Sequence, residues 1–214
     1  TGQAVPTPGQ TRFFRPDDAQ AAIFGAKALD PEKSDSISAG IVLQPDDTSS
    51  ITIDAYYLTI KDSVVPVDRL SGAAVTQAQY YFNGWDSTTK GLDIVGKKRF
   101  EQVYGGVLDL SAGLSLTRTE IDNVKDSVQV GGATLNVIDP YRIRDAERST
   151  PKNKLILDAR YANGPWTVDV FFKRYGSYWY NASAAGMLPG GNGNRDQRFS
   201  PEWDVDLDLS YAVT

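Results

Sequence analysis

The eleven residues Val107–Thr117, VLDLSAGLSLT, change character at every step. Leu108, Leu110, Ala112, Leu114 and Leu116 fall on one side of an extended chain, and Asp109, Ser111, Gly113, Ser115 and Thr117 on the other. A two-residue period fits only a strand, because a helix would mix these two sets around its circumference. Trp203–Tyr211, WDVDLDLSY, repeats the design with three aspartates and a serine opposite Trp203, Val205, Leu207, Leu209 and Tyr211. The same alternation runs through DSISAGIVLQ, SITIDAYYLTIKD, KLILDARY and WTVDVFFKRYGSYWY, and more weakly through TKGLDIVGKKRF. That makes about seven strands. The one helical expectation is a short turn after Pro16 in FRPDDAQAAIFGAKAL. Alternation alone leaves open which face is covered. In a soluble sandwich the leucines point into a core, whereas in a membrane barrel they point into lipid and the aspartates line a hydrated bore.

The connections favour the second arrangement. QPDDTS, EQVYGG and ANGPW are short and rich in turn formers, as hairpin links require. Between them lie three long connections, at about 63–87, 122–150 and 181–201. Long unstructured loops are uncommon in compact domains. A meander with short turns at one end and long loops at the other is the layout of outer-membrane barrels. Tyr104, Tyr161 and Trp166 mark the short-turn end, and Tyr57, Tyr175, Tyr178, Trp179 and Tyr180 the long-loop end, as interfacial aromatic rows would. The expected fold is all-β: an antiparallel up-and-down meander of about seven strands in the wall of a transmembrane β-barrel. Residues 1–34 read as an N-terminal loop region on the extracellular side, and residues 35–214 as wall strands with three long extracellular loops.

Composition removes several function classes. The chain has neither cysteine nor histidine, which excludes thiol and imidazole catalysis within it and the usual zinc sites. Acidic residues outnumber basic ones, 27 to 22, so there is no concentrated basic face for nucleic acid. No apolar run reaches the ~18 residues of a spanning helix, but barrel strands need only ~9–11. Asp204, Asp206 and Asp208 lie two apart on a strand, roughly 6–7 Å from one another, without the wrapping loop a cation needs. LPGGNGNRDQ, from Leu188 to Gln197, lacks the lysine and following helix of a phosphate-binding loop. No cofactor, metal site or catalytic constellation is expected, and the chain does not read as an enzyme.

Longer stretches carry a family resemblance. ALDPEKSDSISAGIVLQPDDTSSITIDAYYLTIKDSV resembles the L-x-P-E-x-S … G … P … Y-x-x-x-I-x-D segment of TonB-dependent outer-membrane receptors, at Leu29, Pro31, Glu32, Ser34, Gly40, Pro45, Tyr57, Ile60 and Asp62. YYFNGWDSTTKGLDIVGKKRF is similar to that family's next strand, with its T-x-G-x-D unit at Thr89, Gly91 and Asp93. RSTPKNKLILDARYANGPWTVDVFFKRYGSY resembles the following hairpin, opened by Pro151, Asn153 and Lys154 and closed by Arg174, Tyr175 and Gly176. The resemblance runs from about Phe13 to Thr214.

It implies a nutrient importer of the bacterial outer membrane, a wide barrel of 22 strands filled by a plug. The ligand it implies is scarce and bulky, most often a ferric siderophore. The partners it implies are the plug and remaining barrel strands, the TonB complex, the lipid bilayer and the small-molecule ligand. No plug or TonB box is found here, and the family continues for roughly two strands beyond SYAVT. About seven strands cannot close a barrel that wide, so the chain is expected to be a segment of a large transmembrane β-barrel, from the later part of a receptor. Aromatic and arginine side chains in the long loops suit catecholate or carboxylate ligands through stacking and charge-assisted bonds. The candidate ligand contacts are Tyr81 and Trp85 in the first loop, with Tyr80 and Phe82 beside them; Arg142 and Arg144 in the second, with Arg148; and Tyr178 and Trp179 leading into the third, with Tyr180. A soluble carbohydrate-binding β-sandwich and a non-transport surface adhesin barrel are the alternative readings.

Overall fold

The computed structural model describes residues 12–67, 70–72, 75–181 and 196–213. The elements in chain order are β1 (Arg12–Phe13), α1 (Ala19–Ala22), β2 (Lys33–Asp46), β3 (Ser49–Pro66), β4 (Leu70–Gly72), β5 (Val75–Gln79), β6 (Tyr81–Val103) and β7 (Gly106–Asp122). They continue with β8 (Ser127–Val130), β9 (Ala133–Asn136), α2 (Pro140–Arg148), β10 (Asn153–Asn163), β11 (Trp166–Tyr175), β12 (Tyr178–Asn181), β13 (Asp196–Phe199) and β14 (Glu202–Tyr211).

Seven strands form one sheet in the order β14-β11-β10-β7-β6-β3-β2. Each neighbours the wall strand next to it in sequence, so the sheet is the expected meander, and its seven members are the seven alternating segments. The short links use the chemistry the sequence offers. Between β2 and β3, Asp46 accepts from the Thr48 amide at 2.8 Å and from the Thr48 and Ser49 hydroxyls. The Thr48 hydroxyl, then Lys98 and Ser49, hold the Asp46 carboxyl well below the usual carboxylate range. Between β6 and β7, Tyr104 and Gly105 both take positive φ (48° and 81°), as a tight hairpin turn with the right twist requires.

The ladder settles which residues share a face. Opposite one another across β7, β10 and β11 stand Leu110, Ala159 and Val170, and likewise Ala112, Leu157 and Phe172. Val170 and Phe172 in turn face Leu207 and Val205 of β14. The apolar positions of four successive strands thus register onto one side, and Asp109, Arg160, Asp169 and Asp208 register onto the other. Leu207 is 70% exposed and Leu209 62% exposed. On β14 the apolar face is bare.

The described residues fall into two compact units. The wall unit comprises Ser36–Tyr57, Thr89–Thr119 and Glu147–Thr214, and the loop-side unit Thr1–Asp35, Leu58–Thr88 and Glu120–Ala146. In the loop-side unit, β1 pairs in parallel with β5, which pairs with β4, while β8 and β9 make a hairpin. These elements lie in the 1–34 region and the first two long connections, so those stretches carry structure of their own. The expected helical turn is α1, capped by Asp18, whose carboxylate accepts from the Gln20 amide at 2.8 Å.

The helix α2 was not expected. It is nine residues long, and its onset has a legible signal: Asp139 accepts from the Tyr141 amide and Pro140 takes the first helical position. Within the loop-side unit Phe14, Phe24, Val65, Val67, Tyr80, Phe82, Val137 and Ile138 are buried together. Most of the third long connection lies outside the described residues, as does most of LPGGNGNRDQ.

Candidate functional site

The loop-side unit is tied together by side chains that seek backbone groups. Asp62 and Asn123 sit in the left-handed region, at φ 56° and 48°, where a non-glycine residue needs support from its surroundings. Asp86 gives that support to both. One of its carboxylate oxygens accepts from the Asp62 amide at 2.9 Å, and the other from the Asn123 side chain at 2.8 Å. These bonds, the one from Asn123 foremost, lower the Asp86 pKa. Asn83 donates to the Asp62 carbonyl at 2.6 Å and exchanges two bonds of 2.9 Å with the backbone of Asp30. Glu32 accepts from the Val64 amide at 2.6 Å, and Lys125 reaches the Asp62 carboxylate at 3.2 Å. Glu32 and Asp62, two of the motif positions, thus fasten the chain entering β2 to the ends of β3 and β6. Sequence reasoning found these residues by resemblance and assigned them no role, because their partners lie more than twenty residues away.

Beside this network is a cavity of about 660 Å³ lined by Ala26, Lys27, Asp30, Phe82, Lys125 and Gln129 among others. Lys27, Lys125 and Asp30 give it two ammonium groups and one carboxylate among apolar side chains.

The structure divides the candidate ligand contacts between the two units. Of those in the loop-side unit, Tyr81 is exposed and packs its ring on Phe13, with centroids 4.9 Å apart. Trp85 packs against the buried cluster. Tyr80 is fully buried and donates its hydroxyl to the Phe24 carbonyl at 2.8 Å, and burial pushes its phenol up to about 12. Phe82 is buried beside it. Arg142 and Arg144 lie half-buried on α2, and the Arg142 guanidinium stands 5.8 Å from the centre of the Tyr141 ring.

The wall unit holds the remaining candidates. Tyr178 stacks almost parallel on Phe199 with centroids 4.8 Å apart. Trp179 lines a cavity of about 380 Å³ with Arg148, Thr150, Lys152, Asn153 and Ser177. An indole face beside a guanidinium, an ammonium and two hydroxyls can hold an anionic, ring-bearing group by stacking and charge-assisted bonds. Arg148 and Lys152 are exposed, so both cations are available to solvent.

The polar face of the wall is cross-linked rather than bare. Tyr56 lies against Gly91, where any Cβ would collide with its ring, and hydrogen-bonds Thr117 at 2.9 Å. Arg99 pairs with Asp109 at 3.7 Å, Ser111 donates to Asp158 at 3.2 Å, and Lys173 is ion-paired with Asp206. Asp158 and Asp169 lie against one another on this face, with Arg160 beside them.

A family model for the TonB-dependent receptor-like β-barrel matches residues 1–214. The chain belongs to that family. Its seven strands are a segment of bacterial outer-membrane barrel wall, with the leucine face toward lipid and the aspartate face toward the bore.

Solved structures share this fold at low identity. The FrpB iron transporter from Neisseria meningitidis superposes with a TM-score of 0.58 at 14% identity, over 85% of this chain and 24% of that one. The outer-membrane transporter YddB from Escherichia coli gives 0.57 at 11%, over 86% and 26%. The ferripyoverdine receptor of Pseudomonas aeruginosa gives 0.54 at 18%, over 89% and 22%. The chain therefore spans about a quarter of the length of these transporters. Among curated proteins none matches it in sequence.

Proposed function

We propose that this chain forms part of the wall and loops of a receptor that binds a ferric siderophore, or a nutrient of similar bulk, and passes it inward without covalent chemistry. The observation that carries the reading is the family match over residues 1–214. Three further features support it. Solved structures that share the fold include an iron transporter and a ferripyoverdine receptor. Trp179, Arg148 and Lys152 line one cavity at the long-loop end. The bore face carries Asp109, Asp158, Asp169 and Asp208, carboxylates that suit a plug presenting cations.

In this reading Tyr81, Trp85, Arg142, Arg144, Tyr178 and Trp179 are the ligand-contacting candidates, and TonB drives release through the plug. Residues 1–34 and the three long connections then lie on the extracellular side. No residue here is assigned a catalytic role.

The test is uptake in iron-starved cells carrying the complete receptor, with a panel of radiolabelled ferric siderophores and a copper complex, in the presence and absence of TonB. TonB-dependent accumulation of one ligand is expected. Replacing Trp179 with alanine should weaken its binding about fivefold, the value of an aromatic contact near 1 kcal/mol. Binding of a surface glycan or protein without any uptake would overturn the transport reading in favour of an adhesin.

A further inference from the structure

The lipid-facing side of the wall is not uniformly filled. Ala112 of β7 stands opposite Leu157, and Ala159 of β10 opposite Leu110 and Val170, so small and large side chains alternate diagonally across the ladder. At Gly96 of β6 a Cβ would meet nothing within 4 Å. The result is an apolar groove of about 680 Å³ with Ile51, Gly96, Leu110, Ala112, Leu157 and Phe172 among its walls. It runs across β3, β6, β7, β10 and β11 of the sheet interior, with Pro45 of the edge strand β2 at one end, and lies on a face of the sheet rather than at an edge. Neighbouring barrel strands joining at β2 or β14 therefore do not cover it.

The short-turn end of this groove is charged. Pro45, Ser49 and Lys98 line it there. The Lys98 ammonium donates to the Ser49 and Thr48 hydroxyls at 2.7 and 2.8 Å and pairs with Asp46 at 3.0 Å. Both charged side chains stay open to the surroundings, Lys98 at 37% and Asp46 at 50% exposure. Phe100, exposed on the next position of the same face, lies 5.9 Å below the ammonium. Aromatic side chains at this end mark the level of lipid headgroups.

We propose that this groove is a specific phospholipid site, in which an acyl chain lies along Gly96, Ala112 and Ala159 while a zwitterionic headgroup meets the Asp46–Lys98 pair. Two features select that occupant. The groove is continuous with the surface already facing hydrocarbon, so an acyl chain fills it against walls that are mainly apolar. The charged residues lining it are Lys97, Lys98 and Asp158, and Asp46 is ion-paired with Lys98, so the two signs balance rather than forming a cationic patch. An ammonium-phosphate headgroup can satisfy both, the phosphate toward Lys98 and the ammonium toward Asp46, whereas an anionic headgroup leaves Asp46 facing like charge.

The experiment uses the complete receptor in nanodiscs of mixed phosphatidylethanolamine and phosphatidylglycerol, released into the gas phase for native mass spectrometry. The wild type should retain one phosphatidylethanolamine in preference to phosphatidylglycerol. Filling the groove by Gly96→Leu, or independently by Ala112→Leu, should lower that occupancy about tenfold. The double change Asp46→Asn with Lys98→Gln should erase the headgroup preference. Equal retention of the two lipids by the wild type, or unchanged retention in both leucine variants with normal heat-modifiable migration, would overturn the assignment. Nutrient uptake is read separately, so failure of the transport reading leaves this test intact.

Discussion

Tyr80 and Leu207 show how differently the two units treat large apolar side chains. Tyr80 is 0% exposed, packed among Phe24, Phe82 and Val137 in a cluster that would suit any water-soluble domain. Leu207, with Val205 and Leu209 beside it, has one side of its strand bare. The loop-side unit gathers its apolar groups inward because water is the surrounding solvent, and the gain on burial is the hydrophobic effect. The wall unit turns them outward because hydrocarbon is its solvent, and only a closed hydrogen-bonded ladder is tolerated there. One chain therefore obeys two opposite burial rules, and the solvent decides which.

Substitutions at matched positions sharpen that contrast. The largest expected effect is Tyr80→Ala, which removes a buried ring and leaves a cavity. It should cost about 3–5 kcal/mol of the loop-side unit's stability, read by hydrogen exchange at Val67 and Val137. Leu207→Arg in the wall should cost about 2–4 kcal/mol in bilayer refolding, because Leu207 lies near mid-strand on the lipid face. The same arginine at Ser111, on the bore face, should cost under about 1 kcal/mol; an equal loss at both would break the assignment of faces.

A smaller effect, about 1 kcal/mol, is expected for Tyr80→Phe, which keeps the packing and deletes the bond to the Phe24 carbonyl. The last prediction concerns pH. Asp86 has a lowered pKa through Asn123 and the Asp62 amide, so its ionised form is the one the fold binds. Its stabilisation is complete above the ordinary aspartate pKa of about 4 and is lost as pH falls through the lower folded-state value. Loosening at Asp62 and Asn123 in acid should disappear in Asp86→Asn.

Much of the wall was legible in advance, and particular residues show why. In VLDLSAGLSLT each side chain's face follows from its parity along the strand, and parity survives any bend of the sheet. The turn at Tyr104 and Gly105 was equally readable, since two-residue links of that kind force antiparallel neighbours. The loop-side unit was harder. Sequence alone groups Tyr80, Phe82 and Trp85 with Tyr81 as candidate ligand contacts, and the fold separates them: the first two are buried, the third packs against the core and Tyr81 is open. Nothing local distinguishes them, because their partners Phe24, Val137 and Ile138 come from distant segments. The helix at Pro140–Arg148 does carry a local signal, in Asp139 and Pro140.

The order of hydrophobic and polar residues by itself determined a two-faced meander of seven strands with tight turns at one end, because a period of two has one structural solution. Only the tertiary structure decided that Asp86 holds two left-handed backbone sites and that Gly96, Ala112 and Ala159 leave a groove. Such features depend on which residues meet across strands and loops, and that meeting is set by ladder register and long-range packing rather than by neighbours in sequence.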